Sequence, residues 1–100
     1  MIEVRTYIGV ASACEGNARD YPVSERHAFN LLLSQEVGDE PNWSLAEETI
    51  SKACWTEIDI RKTGVLSQDK VESSGEPFPA MYKHAIKYGT ALLIYQGVEQ

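Results

Sequence analysis

"SERHAFNLLLSQEVG", residues 24–38, decides how the rest of the chain is read. Ala28, Leu31 and Leu32 recur at helical spacing, and Phe29 and Leu33 widen the stripe. Apolar positions three and four apart lie on one face of a helix. Ser24 is a residue type whose side chain accepts from first-turn amides, and Val23 before it can staple onto Ala28. Gly38 supplies the left-handed stop. The spacing predicts a helix over 24–37.

Upstream, "IEVRTYIGV" (2–10) alternates: Ile2, Val4, Thr6, Ile8 and Val10 point one way, and Glu3, Arg5 and Tyr7 the other. That is a strand with one buried and one polar face. Downstream, "DEPNWSLAEETISKAC" (39–54) restarts a helix, with Ser44 and Glu47 as a capping box and Ala46, Ile50 and Ala53 on one face. In "WTEIDIRKTGVL" (55–66), Thr56, Ile58 and Ile60 alternate with Glu57, Asp59 and Arg61, so a strand is expected. "SQDKVESSGEPFP" (67–79) is polar and broken, with room for one short helical turn. Pro79 opens a third helix whose core stripe is Phe78, Met81, Tyr82, Ala85 and Ile86, and Gly89 ends it. "TALLIYQ" (90–96) is a last strand, apolar on both sides.

The expected order is β-α-α-β-α-β. A strand apolar on both faces belongs in the middle of a sheet, which leaves the two half-polar strands to flank it. The fold class expected is α/β (α+β): a two-layer sandwich with a small mixed three-stranded sheet and helices on one face. One hundred residues suit one domain, expected over 1–100.

Composition bounds the function. With 43% hydrophobic and 24% charged residues, the chain reads as an ordered globule. The longest apolar run, Ala91–Tyr95, is strand length, and the start lacks a secretory pattern, so no membrane role and a cytoplasmic location are expected. A formal charge of −6 disfavours general nucleic-acid binding, which needs a basic field. It suits either a plain soluble surface or a basic protein partner.

The stretch "ACEGNARDYPVSER" (13–26) carries more chemistry than a connection needs. On this reading it lies between a strand end and a helix start, where free amides and the helix dipole favour anions. Asn17, Arg19, Tyr21, Arg26 and His27, with Trp43 and Trp55 as further stacking faces, are the candidate ligand residues for a small phosphate-bearing molecule such as a nucleotide. One glycine in "EGNA" is not a phosphate-loop motif, and the same segment also fits a solvated bend. Lys83, His84 and Lys87 are explained as cations near a helix C-terminus.

The sheet face away from the helices would carry Arg5, Tyr7, Trp55, Glu57, Leu93 and Tyr95, an apolar centre with a charged rim. Such a face either forms solvated cross-strand pairs or buries itself in a second subunit or partner protein, so a homo-oligomer is expected.

Cys14 and Cys54 have no secretory context and read as free thiols. With His27 and His84 they make up four zinc-type ligands in number, but none of the paired spacing of a compact site is present, so neither metal nor cofactor is expected. A Cys–His enzyme is the least supported alternative, because nothing brings the two side chains together. A compact acidic chain with no catalytic signature resembles the small accessory proteins of phages and mobile elements. That likeness implies a non-enzymatic binding module that sequesters an anionic, nucleotide-like ligand as a homo-oligomer. The other reading is an acidic inhibitor or immunity-type protein that blocks a partner through its sheet face.

Overall fold

In the computed structural model, which describes residues 1–98, the stretch expected to be the first helix is a strand. The elements run β1 (Ile2–Ala13), β2 (Arg26–Glu36), α1 (Trp43–Lys52), β3 (Trp55–Leu66), α2 (Gln68–Ser74), α3 (Phe78–Tyr88) and β4 (Thr90–Val98). The four strands form one antiparallel sheet in the order β3-β1-β2-β4. The fold is α+β, and the sheet has four antiparallel strands where three mixed ones were expected.

The apolar run of β2 fits both structures, since a near-continuous hydrophobic stretch is also what a strand buried on both faces looks like. Long-range pairing settles it. Ala13 N donates to Glu25 O at 2.8 Å and Ser24 N to Ala13 O at 2.8 Å, which closes a hairpin. Ser24 therefore caps nothing; it sits at φ +73° in the hairpin connection. Residues 2–12 of β1 then pair in unbroken register with 36–26 of β2.

Leu31 and Leu32 are adjacent in β2 and face opposite ways, and both are fully buried. On one face Tyr7, Phe29 and Leu31 pack against Ala46 and Ile50 of α1. On the other, Val4 and Leu32 pack against Ala85 of α3 and Ala91 of β4. Helices therefore cover both faces, not one. The face expected to lie open for a second subunit is under α1, where Tyr7 is 0% and Trp55 3% exposed. Leu93 lies on the opposite face, in register with Asn30. Glu57 is exposed in an irregular part of β3 at φ +48°. Arg5 is half-buried, and Tyr95 is 41% exposed near the far end of β4.

The expected central strand, β4, is an edge. Its apolar residues need not be central, because α3 reaches Ala91 on one side and Leu92 and Ile94 pack against the α1-side core on the other. The expected flank, β1, is central instead, and Gly9 lets the β3 backbone close on it.

The first half of α1 is held by a cap two residues earlier than the sequence reading placed it. Asn42, not Ser44, is the N-cap, with its Oδ1 accepting from Leu45 N at 3.1 Å. Asn42 N in turn donates to the buried Tyr7 hydroxyl at 2.9 Å. Tyr7→Phe removes that acceptor and should cost about 1 kcal/mol in chemical denaturation; an unchanged midpoint would show that the hydroxyl does not anchor α1. On the exposed side, Glu48 Oε1 accepts from Lys52 Nζ at 2.8 Å. This bond holds the Glu48 carboxyl below, and the Lys52 ammonium above, their ordinary ranges. Farther on, α3 starts with Pro79 in its first turn and ends on Gly89 at φ +93°, as the sequence predicts. Among the described residues, no helix is long and apolar enough to cross a membrane.

Candidate ligand pocket at the hairpin loop

The β1–β2 connection is an ordered loop organised by one side chain. Asn17, buried, accepts at Oδ1 from Tyr21 N at 2.8 Å. Its Nδ2 donates to Cys14 O and to Tyr21 O, both at 3.0 Å. Asp20 N closes the turn on Asn17 O at 3.1 Å. Asparagine suits this place because a carboxamide offers donor and acceptor at once, so it can mimic a backbone partner on both sides of a turn. Gly16 at φ +93° and Asp20 at φ +58° take the left-handed geometry that the bend requires.

The loop presses Tyr21 onto His27, with ring centroids 4.2 Å apart, and its edge onto Trp55 at 5.9 Å. His27 is 0% exposed, so it supports the site from beneath and cannot touch a ligand. Its Nδ1 meets the Tyr95 carbonyl oxygen at 2.8 Å and its Nε2 meets Glu25 Oε1 at 2.8 Å. Both ring nitrogens are thus engaged, which leaves none to activate a thiol. His84 Nδ1 lies 2.7 Å from Thr90 O. Among the described residues, no cluster of three His, Cys, Asp or Glu side chains could hold a metal.

Between the loop and β4 lies a cavity of about 160 Å³. Asn17, Arg19 and Tyr21 line it from the loop, Trp55 from the start of β3, and Leu92 and Ile94 from β4. Among the described residues, no carboxylate lines it. Arg19 is exposed and makes no salt bridge among the described residues, its neighbour Asp20 included. Two aromatic side chains, aliphatic walls and one uncommitted guanidinium suit a flat, partly apolar group that carries a negative charge.

Of the expected ligand residues, Asn17, Arg19, Tyr21 and Trp55 come together and the others do not. Arg26 lies on the opposite side of the hairpin, where Nη1 donates to Ser12 Oγ at 2.9 Å and to Glu57 O at 3.3 Å. Trp43 sits at the start of α1, edge-on to Tyr7 with centroids 5.8 Å apart. It lines a separate cavity of about 390 Å³ that includes Asp39 and Glu40, unsuited to an anion. The helix N-terminus expected beside the loop does not exist, so no helix dipole acts there. Leu92 and Ile94 were missed as pocket walls, while Trp55, expected as a stacking face, does line the cavity. Trp55 carried a usable signal, being a large aromatic residue at the first position of a strand, next to the loop that Cys14 begins. Cys14 N donates to Cys54 O at 3.0 Å and ties the two segments together.

Compared with known proteins, the chain matches no family model, no curated protein and no solved structure.

Proposed function

We propose that the protein is a non-enzymatic binding module that holds a small anionic, nucleotide-like ligand at the hairpin loop. The carrying observation is that the Asn17-pinned loop sets Tyr21 and Arg19 against Trp55 around one cavity. At about 160 Å³ the cavity is well below the ~300 Å³ from which drug-sized sites begin, so it accepts one ring rather than a whole nucleotide. The ring enters between the Tyr21–Trp55 pair and the wall of Leu92 and Ile94, where stacking of a base on an aromatic side chain contributes about 1–3 kcal/mol. The phosphate stays outside, at the Arg19 guanidinium.

A net charge of −6 fits this division of labour. One local cation holds a single small anion, while the surrounding surface repels long polyanions. The reading as an inhibitor that works through an open sheet face keeps the acidic charge behind it but not the open face, since α1 covers that face.

Calorimetry with adenosine and guanosine monophosphate tests the reading, with inorganic phosphate as the control. Arg19→Gln should weaken binding by roughly 10- to 100-fold, the equivalent of one charge-assisted contact. Because Arg19 is exposed, the melting temperature should move by no more than about 2 °C. No heat from either nucleotide, or equal affinity in the variant, contradicts the assignment.

A further inference from the structure

A second cavity, of about 170 Å³, lies on the other face of the sheet under α2 and the start of α3. Ile8, Leu66, Val71 and Phe78 make its walls hydrocarbon. Its floor is polar: Thr6 of β1 and Asn30 of β2, only 8% and 7% exposed, also line it. The Thr6 hydroxyl donates to Asn30 Oδ1, and this is the one side-chain hydrogen bond of Asn30 among the described residues.

A carboxamide carries two N–H donors as well as its oxygen. The fully sealed side-chain polar atoms left without a partner are Arg5 Nε and Thr90 Oγ1. The amide nitrogen of Asn30 has no hydrogen-bond partner among the described residues and is not sealed, so it is open to the cavity. In register, Asn30 stands between Ile8 of β1 and Leu93 of β4, surroundings in which leucine would pack without desolvating an amide. A buried polar group with unmet donors costs stability. The fold uses the Asn30 oxygen, which takes the Thr6 hydroxyl, and leaves the amide nitrogen for a ligand.

We propose that this cavity is a binding site for a small uncharged molecule with an apolar ring and one hydrogen-bond acceptor, such as a ketone or amide carbonyl. The ring lies against Ile8, Val71 and Phe78, and the acceptor oxygen takes a hydrogen bond from Asn30 Nδ2. The volume again admits a single ring. Exposed Lys70 and Ser74 on α2 leave the mouth open to solvent. The site is on the opposite face of the sheet from the loop pocket and does not depend on it.

The test compares cyclohexanone with methylcyclohexane, similar in shape but without the oxygen, by amide chemical-shift titration. The intact protein should prefer cyclohexanone by about tenfold, the worth of one hydrogen bond, with shifts at Ile8, Asn30 and Val71. Asn30→Leu, made together with Thr6→Val so that no hydroxyl is left without its acceptor, should erase the preference. Equal binding of the two probes, no binding of either, or a preference that survives in the variant overturns the proposal. If the variant does not fold, the comparison of the two probes on the intact protein decides alone.

Discussion

Gly9→Ala should lower the melting temperature by about 15 °C or more, the largest effect of any single methyl group added to this protein. Gly9 sits where β1 meets β3 at a shift in register, between the pairs Ile8/Lys62 and Gly9/Ile60. A Cβ there would lie 2.0 Å from Asp59 O and 2.9 Å from Asp59 C and Ile60 Cα. All three are backbone atoms, so no side chain can swing aside to make room. The strands must part locally and give up ladder hydrogen bonds in the centre of the sheet. Overpacking of this kind costs about 3 kcal/mol at the upper end of its usual range. For a domain of this size that converts to about 4–8 °C per kcal/mol. Gly64→Ala is the matched control: it lies on β3 with nothing within 4 Å of a Cβ, and it should be neutral. Thermal melts followed by circular dichroism read both, and equal melts would mean that β1 and β3 do not approach as described.

Asn17→Ala should act on fold and binding together. Its side chain makes three hydrogen bonds, to Cys14 O, Tyr21 N and Tyr21 O, from a buried position. At about 0.5–1.5 kcal/mol each, less what water recovers when the loop opens, their loss costs about 2–3 kcal/mol. The expected fall in melting temperature is roughly 10–15 °C. Tyr21 is released from its place between His27 and Trp55, so nucleotide binding should vanish even well below the melting transition. Asn17→Asp should be no better, since it keeps the acceptor for Tyr21 N but turns a carboxylate oxygen toward two carbonyls. Binding that survives Asn17→Ala would show that the loop does not build the pocket. The pairing with Arg19→Gln is informative because that variant should lose binding alone.

What the sequence made legible was local. Alternation marks β1 and β3, the α1 segment reads as a helix from Ala46, Ile50 and Ala53, and Pro79 and Gly89 bracket α3. What it concealed was pairing at a distance. Ala28, Phe29, Leu31, Leu32 and Leu33 satisfy helical spacing and a doubly buried strand equally well. Only the hydrogen bonds from Ala13 to Glu25 and from Ser24 to Ala13 separate the two. Once that segment is a strand, the sheet gains a member and "TALLIY" moves to its margin. Helices then occupy both faces, and the surface expected for a second subunit is the inside of the core.

The site divides in the same way. Asn17, Arg19 and Tyr21 are neighbours in sequence and stay together in the loop. Arg26 and Trp43 were joined to them by composition alone, and strand direction carries one to the far side of the hairpin and the other to the start of α1. Trp55 and Ile94 belong to the pocket through the order of the strands, which no local pattern encodes.

The central claim, that a flat anionic ligand enters beside Trp55, can be read from a single fluorophore. Trp43→Phe keeps a ring against Tyr7 and leaves Trp55 as the only tryptophan of the chain. Titrating this variant with adenosine monophosphate should quench Trp55 emission saturably, and adding Arg19→Gln should move the midpoint of the quench to roughly 10- to 100-fold higher concentration. Emission that stays constant into the millimolar range, or a quench indifferent to Arg19, would contradict the assignment.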